Sequence, residues 1–177
     1  YKDIAVRRSV KTAVRRQHTR LSLEDIKVFT RQAKGKIFVV YGVDASGSMK
    51  GEKIAICKRA GIALAFKALQ EKDEVGLIVF GKKVETAIAP CADFSLLLKA
   101  MTRIHAAKET DLAACILHAL TLFPSHDDAT KYLLLLTDAM PTVGDDPSKA
   151  TLDAVEKAVA AGITVSLIGI QLDKKAE

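Results

Sequence analysis

Val39-Val40-Tyr41-Gly42-Val43-Asp44-Ala45-Ser46-Gly47-Ser48 begins as an apolar, β-rich run and stops at Asp-x-Ser-x-Ser. Such a run reads as a buried strand that delivers one carboxylate and two hydroxyls to the loop at its carboxyl end. In an open α/β sheet, that end is where ligands bind. Carboxylate and hydroxyl oxygens at alternate positions suit a hard cation such as Mg²⁺ better than a soft metal.

The segments on the carboxyl side alternate between the two periodicities. The first strand covers 37–43. A helix is expected from about Lys53 to Glu71, with Ile54, Cys57, Gly61, Leu64, Ala65, Ala68 and Leu69 on one stripe. Val75 to Phe80 is a near-continuous apolar run, as in a strand buried on both faces. Gly81-Lys82 reads as a hairpin turn, and Val84 to Ile88 alternates as an edge strand should. Asp93 can cap a helix running to about Arg103, and Ile104 to Thr110 is a loop. Asp111 to Phe123 is a further helix, and Lys131 to Thr137 a second central strand that ends in Thr137-Asp138. Pro147 starts a helix that Gly162 stops, and Ile163 to Ile170 is a fifth strand.

The order β-α-β-β-α-α-β-α-β predicts an α/β fold. Its sheet is doubly wound and mainly parallel, Rossmann-like, with one antiparallel edge strand and right-handed crossovers. Such a sheet ordinarily closes with another strand and helix, so the domain at 37–177 is expected to lack its C-terminal strand and helix. The chain opens at Tyr1 rather than Met, without a signal-peptide pattern, and reads as a piece of a longer protein.

The chain has 177 residues and a net charge of +6. Residues 1–36 hold 11 Lys/Arg and 3 Asp/Glu, or +8, which leaves −2 for the rest. The basicity therefore belongs to an N-terminal arm, expected to be separate from the domain. Within the arm, Val6, Val10, Ala13 and Val14 recur at helical spacing among Arg7, Arg8, Lys11 and Arg15. An amphipathic helix is expected there, then a strand-like stretch from Ser22 to Thr30 and a turn at Lys34-Gly35-Lys36. One reading is a packed arm with a solvated basic face. The other is a docking surface for an acidic protein. Nucleic acid ranks below protein because aromatics for base stacking are nearly absent.

No apolar run approaches the roughly 20 residues needed to span a bilayer, so no membrane segment is expected. Cys57, Cys91 and Cys115 are an odd set without CxxC spacing. They read as free thiols, buried at 57 and 115, and suit the reducing cytoplasm.

Several chemistries compete at the first strand's end. The GxxxxG spacing from Gly42 to Gly47 resembles a phosphate loop, but Ser48 stands where its lysine should be and Asp44 would repel phosphate. A phosphotransfer nucleophile at Asp44 needs a second acid or a lysine close by, and the residue two positions on is Ser46. Asp44 and the serines could also simply cap the next helix. A divalent-ion site requires oxygens from other loops at the same sheet edge. Thr110 and Asp138 are placed to supply them, because the first and fourth strands should be neighbours across the topological switch point.

Asp44-x-Ser46-x-Ser48, then Thr110, then Thr137-Asp138, set in these elements, resemble the metal-ion-dependent adhesion site of the von Willebrand factor A domain. The resemblance covers about residues 37–170. It implies that Ser46, Ser48 and Thr110 bind Mg²⁺ directly or through water, with Mn²⁺ or Ca²⁺ as substitutes. Asp44 and Asp138 would hold ligand waters and neutralise the ion. One coordination position would stay open for a partner's Asp or Glu. Two departures stand out: Lys108-Glu109 replaces the usual Gly-Gly before the threonine, and Ala139-Met140 follows the second aspartate where glycine is usual. Glu109 reads as a surface acid or as a group leaning on the ion.

A narrower resemblance links Ile4 to Gln17, Leu23 to Val28 and Lys72 to Phe80 to the D subunit of magnesium chelatase and its prokaryotic relatives. It implies an intracellular, non-catalytic interaction module beside an AAA+ ATPase. The alternatives are a metal-dependent phosphohydrolase using Asp44 and a free-standing scaffolding or adhesion domain. His105, His118 and His126 lack triad partners in the sequence, although His105 shares the loop of Thr110.

Overall fold

The structure, a computed structural model, describes residues 4–28, 35–105, 109–125, 129–138, 141–144 and 146–170. The chain divides into two units, Tyr1–Lys34 and Gly35–Glu177.

In the first unit, helix α1 is Val6–Arg15. Its buried face is not the valine stripe. Ala5, Ser9 and Ala13 are buried, whereas Val6, Val10 and Val14 are exposed. The reason is close backbone approach: the Ser9 hydroxyl donates to the Ala5 carbonyl at 3.1 Å and accepts from the Lys27 N–H at 2.8 Å. Small side chains at i, i+4 and i+8 permit that approach; valines there would hold the returning segment off.

The strand-like reading of Ser22 to Thr30 also needs correction. Leu23–Asp25 is a 3₁₀ turn, and among the described residues strand pairing reduces to one bridge, Ile4 with Val28. Asp25 imposes the turn by accepting from the Ser22 N–H at 3.1 Å and the Ser22 hydroxyl at 2.9 Å. A local side-chain bond of this kind competes with strand formation. Phe29, Thr30 and Lys34 lie outside the described residues.

The second unit is a five-stranded sheet in the order β3-β2-β1-β4-β5. The strands are β1 Ile37–Asp44, β2 Glu74–Phe80, β3 Val84–Cys91, β4 Thr130–Thr137 and β5 Ile163–Gly169. β1 pairs in parallel with both β2 and β4, β4 pairs in parallel with β5, and β2–β3 is the one antiparallel pair among these. The helices are α2 Glu52–Gln70, α3 Phe94–Thr102, α4 Leu112–Leu122 and α5 Pro147–Ala160.

The apolar runs are continuous because both sheet faces are covered. Phe38, Val40, Ile78, Phe80, Leu133 and Leu135 point to the side of α4 and α5, against Cys115, Ile116, Ala119, Ala154 and Ala158. Tyr41, Val43, Val75, Leu77, Val79 and Leu136 point to the side of α2 and α3, against Cys57, Ala65, Leu97 and Met101. Each large side chain buried this way contributes about 1.5–3 kcal/mol.

Three helices start on capping carboxylates, of which Asp93 is the expected one. Asp93, Asp111 and Asp146 accept from Leu96 N–H at 3.0 Å, Ala114 N–H at 2.9 Å and Lys149 N–H at 3.1 Å. Gly162, at φ +75°, ends α5 as expected. β3 runs three residues longer than its alternation suggested, through Pro90 to Cys91. Proline is tolerated there because β3 lies at the sheet edge. Among the described residues no helix is long and apolar enough to cross a membrane.

Candidate functional site

β1 and β4 are parallel neighbours, so their carboxyl ends fall side by side. Asp44 ends β1, and Asp138 follows Thr137 at the end of β4. Asp44 is fully buried. One carboxylate oxygen accepts from the Ser46 N–H at 2.7 Å, the other from the Thr137 hydroxyl at 2.5 Å. The Ser46 and Ser48 hydroxyls lie 2.9 Å apart, and Ser48 donates to Asp138 Oδ1 at 2.8 Å. A hydroxyl carries one proton, so Ser46 must be the donor to Ser48. Asp44, Ser46, Ser48 and Asp138 thus form one connected oxygen cluster. Ser46 and Asp138 are buried, while Ser48 is exposed and opens the cluster to solvent.

Thr110 joins this sheet edge by another route. Its N–H donates to Thr142 Oγ1 at 3.1 Å, and its carbonyl accepts from the Thr142 N–H at 3.0 Å. Its neighbour Asp111 donates from its N–H to the Gly81 carbonyl at 2.8 Å, just beyond the end of β2. Ala45 donates to the Phe80 carbonyl at 2.7 Å on the same edge. Among the described residues, no hydrogen bond links Thr110 directly to the other four. Lys108, Ala139, Met140 and His126 lie outside the described residues. Glu109 is a half-buried partner of Lys82 on the β2–β3 turn, at 3.0 Å.

The capping reading of Asp44 and the serines does not hold. Ser46 stands at the N-cap position of the 3₁₀ turn Gly47–Met49 without a side-chain cap bond, and α2 begins at Glu52 after Gly51, again without one. Asp44 instead receives the N–H of Ser46, two residues on.

Burial pushes the Asp44 carboxyl up from its ordinary value of 3.8, and the charge of Asp138 adds to this; the Thr137 and Ser46 bonds oppose it. Its bonded donors among the described residues are neutral. A desolvated carboxylate with neutral donors is a natural seat for a cation. The remaining oxygens are hydroxyls and a second carboxylate, which is the donor chemistry of Mg²⁺. The residues present therefore fit a hard divalent ion.

Sequence reasoning missed three contributors. The sequence pattern gives no role to Thr137 or Thr142 and marks Lys53 only as a helix start. Lys53 donates to Asp138 Oδ2 at 2.7 Å. A cation in the first turn of a helix opposes the macrodipole, and that misplaced charge was the available signal. Of the histidines, His105 is exposed and His118 half-buried. Cys57, Cys91 and Cys115 are free, with 57 and 115 buried as expected. Burial pushes the Cys57 thiol up to about 12 and raises Cys115 likewise.

Comparison with known proteins agrees with the fold. The family model of the von Willebrand factor type A domain matches residues 39–140. An uncharacterized protein of Mycobacterium tuberculosis is 28% identical over 151 residues, covering 82% of this chain and 24% of that protein. The magnesium-chelatase 67 kDa subunit of Heliobacterium mobile is 28% identical over 127 residues, covering 70% of this chain and 19% of that protein. The chain thus spans a quarter or less of these relatives. In fold, it is similar to the BatB protein of Bacteroides thetaiotaomicron, at TM-score 0.65 and 22% identity, covering 75% of this chain and 66% of that one. A family match over more than half its length, on a sheet of this topology, places the chain in the von Willebrand factor type A domain family.

Proposed function

We propose that the domain is a Mg²⁺-dependent protein-interaction module of an intracellular, cytoplasmic, magnesium-chelatase-like subunit that works beside an AAA+ ATPase. The observation that carries the reading is Asp44: a fully buried carboxylate with neutral donors, joined through Ser46 and Ser48 to Asp138. Ser46, Ser48 and Thr110 are the proposed direct or water-mediated ligands. Asp44 and Asp138 supply the negative charge and hold ligand waters.

When bound, the ion supplies a Lewis-acidic position that accepts a carboxylate from a partner's Asp or Glu. The chain's own contribution is rigidity. Thr137 and the Ser46 N–H hold both oxygens of Asp44. Ser48 is the exposed oxygen donor, set where a partner can approach. Two parallel strand ends fix the spacing between the carboxylates. The module itself is assigned no catalytic step; ATP hydrolysis belongs to the partner. The 28% identity to a magnesium-chelatase subunit supports the choice of partner class.

The test is calorimetric binding of an AAA+ subunit of magnesium chelatase, with Mg²⁺ and with EDTA, for wild type and Asp44→Ala. Binding that needs both the ion and Asp44 is expected. Binding indifferent to both would remove the mechanism while leaving the fold intact.

A further inference from the structure

Asp138 has both carboxylate oxygens engaged. Oδ1 accepts from the Ser48 hydroxyl at 2.8 Å and Oδ2 from the Lys53 ammonium at 2.7 Å. The Asp138 side chain is 1% exposed and that of Lys53 21% exposed, so the pair is largely withdrawn from water. Ion pairs screened this little are strongly felt by neighbouring charges. Lys53 lies in the first turn of α2, 85 residues before Asp138, and the loop carrying Ser46 and Ser48 leads into that turn.

We propose that Lys53 is a built-in counter-cation of the site: it neutralises Asp138 when no metal is bound and competes with a divalent ion for that carboxylate. The inference rests on the metal-site reading and deepens it by naming the residue that sets the affinity. With both carboxylates ionised, Asp44 and Asp138 bring −2 and Lys53 +1, a net −1 instead of −2. An incoming divalent ion meets weaker attraction and must share Asp138 with the ammonium or displace it. Lys53 is a positioning and charge-setting residue, not a metal ligand, since an ammonium has no lone pair to offer.

A merely structural lysine and a competing one predict opposite shifts in metal affinity. A structural role makes Lys53→Met loosen the site and weaken Mg²⁺ binding. Competition makes the same variant bind Mg²⁺ more tightly, by about tenfold for removal of one partly screened charge. It also makes the metal-free form melt lower, because a buried carboxylate loses its partner. Binding then restores more stability than in the wild type.

The experiment is calorimetric titration of Mg²⁺ alone into wild type, Lys53→Met, Lys53→Gln, Lys53→Arg and Asp44→Ala, with melting of each in EDTA. Lys53→Gln keeps a hydrogen-bond donor for Asp138 and serves if the methionine variant does not fold. Tighter binding by the neutral variants, near-wild-type binding by Lys53→Arg and a lower melting point for Lys53→Met in EDTA are expected. Equal or weaker binding by the neutral variants, with wild-type binding present and lost in Asp44→Ala, overturns the role of Lys53 and spares the metal site. No binding by wild type or any lysine variant overturns the site reading and this inference with it.

Discussion

The Thr137 hydroxyl donates to Asp44 Oδ2 at 2.5 Å and joins the last residues of two parallel strands that are 93 residues apart in the chain. Both residues are buried. The bond fixes the orientation of the carboxylate on which the candidate site is centred.

Thr137→Val removes that donor while keeping the shape of the side chain. A buried acceptor left without its partner costs about 1–3 kcal/mol. Urea unfolding should report a loss of that size, with Thr137→Ser retaining most of the stability. Stability unchanged in the valine variant would show that the bond contributes nothing net.

Asp44→Asn should stabilise the metal-free chain at neutral pH. The folded-state carboxyl value is raised, first by burial. A carboxyl raised on folding contributes stability below its ordinary value of 3.8, and that stability is lost as pH rises through the folded value. Above that range the ionised group is a cost, which a neutral amide avoids. Asn can still accept from the Ser46 N–H, and its amide can donate to the Thr137 oxygen. In EDTA at pH 7 the variant should unfold at higher urea, with the difference shrinking as pH is lowered. A less stable variant under those conditions would contradict the argument.

Asp25 carries the opposite sign. The His18 bond, helped by Ser22, holds its carboxyl down to about 2. A depressed carboxyl contributes stability above its ordinary value of 3.8 that is lost as pH falls toward about 2. Amide exchange at Ser22 and Lys27 should therefore accelerate across that window in wild type. Asp25→Asn should exchange faster already at neutral pH and show no such step.

Gly76→Ala should destabilise the domain by about 1–3 kcal/mol, the usual cost of overpacking. A Cβ there would lie 2.8 Å from the Ile88 carbonyl oxygen and 3.1 Å from the Pro90 nitrogen. Both are backbone atoms at the register shift between β2 and β3, so a side-chain rotation cannot relieve the clash. Thermal melting of the variant measures the loss.

The strands and capped helices of the second unit were legible because their signals are local. A run such as Val75 to Phe80 is apolar on both faces wherever it sits, and the capping carboxylate of Asp93 bonds within three residues of itself. The buried face of α1 was not legible. The apolar period marks the largest side chains, but a close backbone selects the smallest, Ala5, Ser9 and Ala13. Similarly, Glu109 reads in sequence as a surface acid or a ligand, and only its 3.0 Å approach to Lys82 shows its partner.

By itself the sequence determined the alternation of strands and helices and the spacing of Asp44, Ser46, Ser48, Thr110 and Asp138, the candidate oxygen donors. Those features depend on residue type and spacing along one chain. Only the tertiary structure decided that Ser48 donates to Asp138, that Thr137 holds Asp44 and that Lys53 occupies the other oxygen of Asp138. Hydrogen bonds form at about 3 Å, and these join residues 85 to 93 positions apart. The parallel docking of β1 on β4 brings them within that range.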